Sequence, residues 1–294
     1  MAQIQSARPQ HIGALHEIYL AATRAAPHCR FAPNVERFGA CLLSPRAVAT
    51  RIFVAEERGA ARGFAALGRV KNETDGTEHN AITALFFAHA AAGHALLEAC
   101  EAQARSRDIL AFPASHGQCP VVGYNGGWDG LPDHIPAVAQ LLARNGYTPY
   151  YRELHLSCDF ARVAPAPGAV LPDIDLQEIA DEQAQSFALY AMSGERKAGE
   201  RHYNTLACTL GPGAAHTGYI NWLHVEAEAR RHGIGRSLMV RVLDHLRRMG
   251  CDSCWLTTGA DNWPAQPLYL ALGFEVLDCS ASYRKTRAVA SAEC

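Results

Sequence analysis

The fold of this chain is decided by the stretch Leu223-His224-Val225-Glu226-Ala227-Glu228-Ala229-Arg230-Arg231-His232-Gly233-Ile234-Gly235-Arg236-Ser237-Leu238. It starts at the end of an apolar run, residues 219–225, which predicts a buried strand. From Ile234 onward apolar residues recur at helical spacing, at positions 234, 238, 239, 242, 243 and 246. The sequence therefore predicts a strand, a tight turn with two glycines and the open N-terminus of a helix.

This turn has the chemistry of an anion site. The first N–H groups of a helix have no partner within it, and the helix dipole adds positive charge at the same point, which suits a pyrophosphate. Position 238 is a leucine, so the stretch lacks the third glycine of a dinucleotide-binding fingerprint, and no Gly-Lys-Ser/Thr closes it as a P-loop. The alternative is a helix start that needs only the φ freedom of glycine.

Two motifs in the last third of the chain resemble those of the GNAT superfamily of N-acetyltransferases. Arg230-x-x-Gly233-x-Gly235 is similar to the loop that holds the acetyl-CoA pyrophosphate in that family. Asn262-x-x-Ala265-x-x-Leu268-Tyr269-x-x-x-Gly273-Phe274 is similar to its second conserved block. The resemblance implies an acetyl-CoA-dependent N-acetyltransferase of the α/β (α+β) class, with a mixed, mostly antiparallel central sheet flanked by helices.

The resemblance also implies which residues bind acetyl-CoA, the co-substrate, with no metal required. Backbone groups of Leu223 and Val225 would bind the pantetheine arm, in a gap between two splayed parallel strands. Arg230 or Arg231 would add positive charge at the pyrophosphate. The backbone N–H groups there would come from Gly233, Ile234, Gly235, Arg236 and Ser237.

Amide formation from a thioester needs a proton for the departing thiolate and a base for the attacking amine. By resemblance the proton comes from Tyr269; the alternative is a tyrosine of the apolar core. Asn262, about two helical turns away, either caps that helix or binds a pantetheine amide. For the base we choose His224. A chain of water molecules is one alternative, and three nearby residues are others: His216, Tyr219 and Glu226.

Segments of the first half repeat segments of the second. Residues 141–147 mirror residues 268–274, and residues 93–97 mirror residues 235–239. The predicted helices of the first half are at 12–22, 93–105 and 135–144, and the predicted strands at 52–55, 63–67, 81–87, 109–112 and 150–156. This element order is also that of the GNAT family.

We therefore predict two tandem GNAT-like domains. The first spans residues 1–160 and the second residues 173–294, with a linker at 161–172 that contains three prolines and a glycine. A strand at 174–179 and a helix at 181–192 would open the second domain.

The first copy differs where the chemistry would take place. Its counterpart of the glycine turn, residues 88–93, contains no arginine. Ala91 stands in the place of Gly233, and Leu142 stands in the place of Tyr269. A side chain at the glycine position obstructs a phosphate, and leucine donates no proton. We therefore predict a degenerate first copy that does not bind acetyl-CoA in the usual way.

Three further segments have two interpretations each. Residues 193–201 either cover the acceptor or form a solvated charged run. The glycine-rich insertion at 113–136, which contains Trp128, is predicted to help form the acceptor pocket, because long ordered loops are often functional. Cys251-x-x-Cys254 has no second cysteine pair, so we interpret it as structural rather than metal-binding.

Composition limits the class of partner. The 27 lysines and arginines nearly balance the 29 aspartates and glutamates, which predicts no nucleic acid and no membrane as partner. No run of apolar residues is long enough to span a bilayer, so we expect a cytoplasmic protein. We expect a small-molecule amine as acceptor, and a monomer with an internal pseudo-dimer of domains, or a homodimer. The alternative function is a tandem protein that binds or senses acyl-CoA without turnover.

Overall fold

The computed structural model describes residues 2–25, 33–43, 51–71, 76–113, 130–164, 171, 174–181, 186–205 and 216–287. The helices are α1 Ile12–Thr23, α2 Val35–Leu42, α3 Ala90–Gln103, α4 Pro136–Arg144, α5 Ile234–Arg248 and α6 Gln266–Ala271. The first seven strands are β1 Gln3–Ser6, β2 Arg51–Glu57, β3 Ala60–Lys71, β4 Glu78–Phe87, β5 Asp108–Ala111, β6 Leu131–Pro132 and β7 Thr148–Asp159. The others are β8 Asp175–Asp181, β9 Ser186–Ser193, β10 Arg196–Thr205, β11 Thr217–Val225, β12 Ser253–Gly259 and β13 Glu275–Thr286.

The chain forms two compact units. One consists of Met1–Glu153 and Asp278–Cys294, and the other of Leu154–Leu277. The domain limits predicted at 160 and 173 follow the sequence repeat, whereas these units follow packing and strand pairing. The two divisions differ over residues 154–160 and 278–294. They differ because Leu156 and Cys158 lie in the core of the second unit, while the last four residues of β13 pair with β5 in the first.

The first unit is a sheet in the order β1-β2-β3-β4-β5-β13, in which β4 and β5 are parallel and the other pairs antiparallel. Aromatic residues join the helices to the sheet. The Tyr19 ring of α1 lies 5.3 Å from the Phe38 ring of α2 and 5.5 Å from the Phe86 ring of β4. The predicted elements of the first half are confirmed, and the structure adds β1 and α2.

The second unit is a sheet in the order β7-β12-β11-β10-β9-β8, with α5 packed on it. At Gly218 of β11 an added Cβ would lie only 2.4 Å from a Leu246 methyl carbon of α5. The absence of a side chain at Gly218 therefore lets α5 approach the strand closely. The strand orders of the two units confirm the predicted fold class, a mixed, mostly antiparallel sheet flanked by helices.

The predicted helix at 181–192 is wrong. Residues 186–193 form β9, which pairs antiparallel with β8 and β10. The physical reason is that buried residues recur at every second position, as in a strand with one face in the core. Phe187, Leu189 and Ala191 are buried, and the residues between them are less buried. Residues 182–185 lie outside the described part of the chain, as do residues 114–129 of the predicted acceptor loop, including Trp128.

Candidate active site

The site begins where two parallel strands separate. β11 and β12 pair from Thr217–Ser253 to Ile220–Leu256, and the pairing ends there although β11 continues to Val225 and β12 to Gly259. The other edge of β11 stays paired with β10 up to Val225. The edge of β11 at 221–225 that faces β12 is therefore open, and an extended molecule can bond to it as an added strand does.

The glycine turn follows directly and leads into α5. Gly233 is the N-cap of α5 and has a φ of 84°, in the left-handed region that favours glycine. Ser237 donates its N–H to the Gly233 carbonyl at 3.0 Å, the first bond of the helix. The N–H groups of Ile234, Gly235 and Arg236 precede that bond, so they are the ones directed out of the helix end. Ser237, predicted as a donor to the pyrophosphate, already uses its N–H within the helix.

The two arginines of the turn differ in their contacts. Arg230 Nε donates to the Val225 carbonyl at 3.0 Å, which brings the guanidinium back beside the open edge of β11. Arg231 is exposed and has a φ of 68°, unusual for a residue with a side chain. Of the two, Arg230 thus links the turn to the strand.

Gly235 faces a space with room for a side chain. A Cβ there would lie 3.5 Å from Leu268 and 3.7 Å from Val225, which are ordinary contacts. The glycine turn, the end of β11 and α6 therefore meet at Gly235. The predicted binding residues of the glycine turn and of β11 are brought together at one place.

Tyr269 lies on the short helix α6. This helix begins at Gln266 with Pro267 in its first turn, later than the family block suggests, because proline has no N–H to give to a longer helix. The Tyr269 side chain is buried, and its ring meets that of Phe274 edge-on with the centroids 6.1 Å apart. Tyr269 also opposes the lowering of the pKa of the buried Arg201 of β10, which is caused by burial.

Asn262 precedes α6 but does not cap it by its side chain. Its Nδ2 donates to Thr258 Oγ1 at 3.0 Å, and its backbone carbonyl accepts from Gln266 N at 3.3 Å. Asn262 therefore fixes the end of β12 relative to the start of α6.

One side of β9, β10 and β11 carries titratable and aromatic side chains, which we call the histidine face: Tyr190, Glu200, His202, Trp222 and His224. His224 and Tyr190 lie opposite Glu200 on the neighbouring strands, and His202 lies opposite Trp222. Residues that face each other across an antiparallel pair project to the same side of the sheet. Among the described residues of the second unit, no helix precedes β11.

Two of the four candidate bases lie on or beside this face at the open end of β11. His224 Nε2 is 3.6 Å from Glu226 Oε2, and the rings of His224 and Trp222 are nearly parallel at 6.4 Å. Tyr219 is the third residue of β11 and His216 precedes the strand, so both lie about 20 Å or more from its end at ~3.3 Å per residue. His224 and Glu226 thus remain the base candidates.

Glu200 is held ionised on the histidine face. Burial alone would raise its pKa, but the hydrogen bond and charge of Lys197, with Nζ 2.9 Å from Oε2, and the nearby His202 outweigh burial and lower the pKa of Glu200. A carboxylate fixed beside His224 favours a cationic acceptor.

The counterpart in the first unit is closed by its own side chains. His89 caps α3 by accepting from Ala92 N at 3.4 Å, and its Nε2 lies 3.2 Å from a Glu57 carboxylate oxygen. A Cβ on Gly93 would meet the Phe87 ring at 2.8 Å. The start of α3 is thus occupied by His89, which faces a carboxylate.

Arg201 was missed by the sequence interpretation, which assigned residues 193–201 to a charged run or an acceptor-covering segment. Its side chain is 2% exposed. A signal was present, since Arg201, Tyr203 and Thr205 alternate with less buried residues in β10.

The described parts of the chain contain neither a group of metal-ligating side chains nor a helix able to span a membrane. Within those residues no three His, Cys, Asp or Glu side chains are grouped as metal ligands. None of the described helices is long and apolar enough to cross a bilayer. Cys251 and Cys254 are both buried free thiols.

Comparison with known families identifies the second unit. The model of the acetyltransferase (GNAT) family matches residues 152–274, which is nearly the whole of Leu154–Leu277. This segment thus matches the GNAT family model, and the fold of the chain is similar to that of a tandem GNAT protein.

Curated relatives match a short part of the chain. N-alpha-acetyltransferase 30 of Saccharomyces cerevisiae is 40% identical over 57 residues, 19% of this chain and 32% of the relative. The [ribosomal protein bS18]-alanine N-acetyltransferase of Escherichia coli K12 is 34% identical over 62 residues, 21% of this chain and 42% of the relative. The chain thus spans about a third to two fifths of the length of these relatives.

Solved structures match over almost the whole chain. A tandem GNAT protein from the clavulanic acid biosynthesis pathway has a TM-score of 0.71 at 17% identity, with 99% of this chain and 100% of that one covered. The glucosamine N-acetyltransferase region of a fungal multi-domain GH3 beta-N-acetylglucosaminidase also has a TM-score of 0.71, at 13% identity, with 97% of this chain and 38% of that one covered. At such identities the likeness concerns the fold alone.

Proposed function

We propose that the second unit is an acetyl-CoA-dependent N-acetyltransferase that moves the acetyl group directly to the amine of a small molecule. The observation that carries this proposal is that Gly235, at the start of α5, borders both Val225 at the open edge of β11 and Leu268, the residue before Tyr269 in α6. An extended arm that ends in a pyrophosphate needs an open strand edge beside a helix start. Acyl transfer also needs an acid, and we assign that role to Tyr269.

The residues present fit acetyl-CoA, which supplies an activated acetyl group when bound. The edge of β11 at Leu223 and Val225 bonds the pantetheine arm, and the N–H groups of Ile234 to Arg236 bond the pyrophosphate. Arg230 adds positive charge beside them. The Val225 N–H faces the thioester oxygen and stabilises it as it gains negative charge.

The histidine face is the acceptor side in this proposal. His224 or Glu226 accepts the proton of the amine, either directly or through water. Glu200, ionised and in register with His224, attracts an acceptor that arrives as an ammonium ion. Trp222, which is 48% exposed, offers an aromatic surface for the apolar part of the acceptor.

A second acceptor class has a specific observation in its favour. One curated relative is named an N-alpha-acetyltransferase and another is named for an alanine of a ribosomal protein. Each matches only about a fifth of this chain, so we place the protein amine second.

Thiol release from acetyl-CoA tests the proposal. The full chain is assayed against free amino acids, polyamines, amino sugars and short peptides with an N-terminal alanine. Release that depends on a small amine supports the proposed activity, and release with the peptides alone moves the acceptor class to proteins. Acetyl-CoA binding by calorimetry without release from any amine would support the alternative, a binding or sensing protein.

A further inference from the structure

The first unit contains a polar cavity of about 450 Å³ that the proposed acetyl transfer does not use. It lies at one end of the sheet and is lined by the start of β2, the end of β3, the start of β4 and the end of α3 with the residues that follow it. Its volume falls within the range of small-molecule sites. Among the described residues that line it, Leu67 is the only apolar side chain, so the cavity suits a polar ligand.

Strand pairing directs two arginines and an asparagine of the cavity to the same face of the sheet. Arg51 of β2 lies opposite Leu67 of β3, and Arg69 of β3 lies opposite Asn80 of β4. Residues that face each other on neighbouring strands share a side of the sheet, and so do residues two positions apart along one strand. Arg51, Arg69 and Asn80 therefore project to one side.

The end of α3 is bonded to this same face. Arg51 Nη1 donates to Gln103 Oε1 at 2.5 Å. Asn80 Oδ1 accepts from Arg105 N at 2.7 Å and from Ser106 N at 3.0 Å. These bonds fix the backbone of Arg105 beside the strands. They occupy the oxygen of the Asn80 amide and leave its Nδ2 group, a donor, without a bond among the described residues.

The charges of the cavity do not balance. Three arginines and one glutamate line it, which leaves two positive charges. The glutamate belongs to Arg69, whose Nη1 lies 3.6 Å from Glu78 Oε2. Neither Arg51 nor Arg105 forms an ion pair with a carboxylate of the described residues. The two unbalanced guanidinium groups therefore favour a ligand with two negative charges.

The C-terminal end of α3 does not cancel this excess charge. The last carbonyls of a helix carry partial negative charge, which disfavours an anion. Here the Arg287 guanidinium donates to the carbonyls of Glu101 and Ala104. The Glu101 carboxylate is itself held by Lys285 Nζ, 2.8 Å from both of its oxygens. The negative groups at this helix end thus have cations of their own, and the two arginines of the cavity stay unbalanced.

We propose that this cavity binds a small polar dianion, a phosphate monoester or a dicarboxylate, with Arg51 and Arg105 as its main contacts. A guanidinium donates two parallel N–H bonds to either kind of group. Asn80 Nδ2 adds neutral donors. The site is distinct from the counterpart of the acetyl-CoA turn, because β4 carries Asn80 at its start and Phe87 at its end, about 23 Å away at ~3.3 Å per residue. The inference goes beyond the proposed function and gives the degenerate first copy a ligand of its own.

Calorimetric titration of the full chain tests this proposal, at about pH 8, where a phosphate group carries two charges. The probes are inorganic phosphate, glycerol 3-phosphate and succinate, with acetate as the singly charged control. Arg51→Gln, Arg105→Gln and the double variant remove charge and keep a polar side chain. The matched control is Arg62→Gln, because Arg62 is an exposed arginine near the opposite end of β3, outside the cavity. Thermal unfolding of each variant gives its Tm.

We expect saturable binding of at least one of the dianions and much weaker binding of acetate. The Kd of the preferred dianion should rise about tenfold in each single variant and about a hundredfold in the double variant, since each loses a charge-assisted contact. It should change by less than about twofold in Arg62→Gln. The Kd for acetyl-CoA should be the same in the double variant as in the wild type, because Arg51 and Arg105 lie in the first unit. Tm should change little, since both arginines are exposed.

The other outcomes overturn the proposal. Absence of saturable binding for all three dianions means that the cavity is not an anion site. Binding that keeps its full affinity in the double variant takes place elsewhere in the chain. An equal loss of affinity in Arg62→Gln means that binding follows the net charge rather than this cavity. If the double variant does not fold, the two single variants carry the same comparison. Preference for glycerol 3-phosphate or for succinate supports the site and identifies the anion, and the measurement needs no turnover.

Discussion

Gly235→Glu should keep or raise the thermal stability of the protein and weaken its binding of acetyl-CoA. Gly235 is the second residue of α5, and a Cβ there meets only ordinary contacts at 3.5 and 3.7 Å. A carboxylate in the first turn of a helix is favourable to the helix dipole by about 0.3–1 kcal/mol, and replacing glycine adds up to about 1 kcal/mol of helix propensity. The variant should therefore unfold at the same temperature as the wild type or a few degrees higher.

Binding should weaken because the added charge stands where the pyrophosphate is proposed to bind. Two like charges about 5 Å apart at an effective dielectric constant of about 20 repel each other by about 3 kcal/mol. Screening at this partly exposed position reduces that value. We therefore expect the Kd for acetyl-CoA to rise about ten- to two-hundredfold.

Calorimetric titration of the full chain with acetyl-CoA measures the effect. The control is Gly235→Gln, which has nearly the same size and no charge, so it separates obstruction from repulsion. Undiminished affinity in Gly235→Glu would refute the assignment of the turn to the pyrophosphate. A wild-type stoichiometry of two equivalent sites would refute the closed helix start that His89 and Phe87 indicate for the first unit.

Four further predictions concern other parts of the chain. Tyr269→Phe should lower turnover about ten- to ten-thousandfold with acetyl-CoA affinity nearly unchanged; unaltered turnover would make Tyr269 a core residue only. Leu156 is 2% exposed in the core of the second unit, so Leu156→Ala should lower the free energy of unfolding, measured in urea, by about 2–5 kcal/mol. Leu154 is only partly buried, so Leu154→Ala should lower it by less. Equal losses in the two variants would contradict the packing described. Alkylation followed by mass spectrometry should modify Cys279 before the four buried thiols, namely Cys100, Cys158, Cys251 and Cys254. Because burial raises the pKa of Cys158 and Cys251 to about 11, the folded state keeps protons that the unfolded chain releases, so the free energy of unfolding should fall as pH rises from about 8.5 to about 11.

The strand, glycine turn and helix at 217–248 were predictable from the sequence because their signals are local. Apolar spacing defines α5, and glycine is the residue that takes up the φ of 84° at position 233. The helices and hairpin of the first half follow from the same local rules. The grouping of Leu223, Val225, Gly235 and Tyr269 was implied by the family resemblance, and the structure places Gly235 beside Val225 and beside Leu268, the neighbour of Tyr269.

Two errors of interpretation have one physical cause. Residues 186–193 contain alanine, leucine and methionine, which favour a helix, yet they form a strand because β8 and β10 pair with both of its edges. Residues 193–201 are rich in charge, yet Arg201 is buried because its position in β10 projects it toward the core. In both places partners distant in sequence override the local preference.

The sequence by itself determined the strand, glycine turn and helix, the repeat of two copies and the loss of the motif in the first. Only the tertiary structure decided which strands complete each unit: residues 154–159 lie with the second unit, and residues 278–286 with the first. It alone also showed that Arg201 is buried. The reason is that strand partners and buried charges depend on contacts between distant residues, whereas spacing, turns and motifs are written in neighbouring ones.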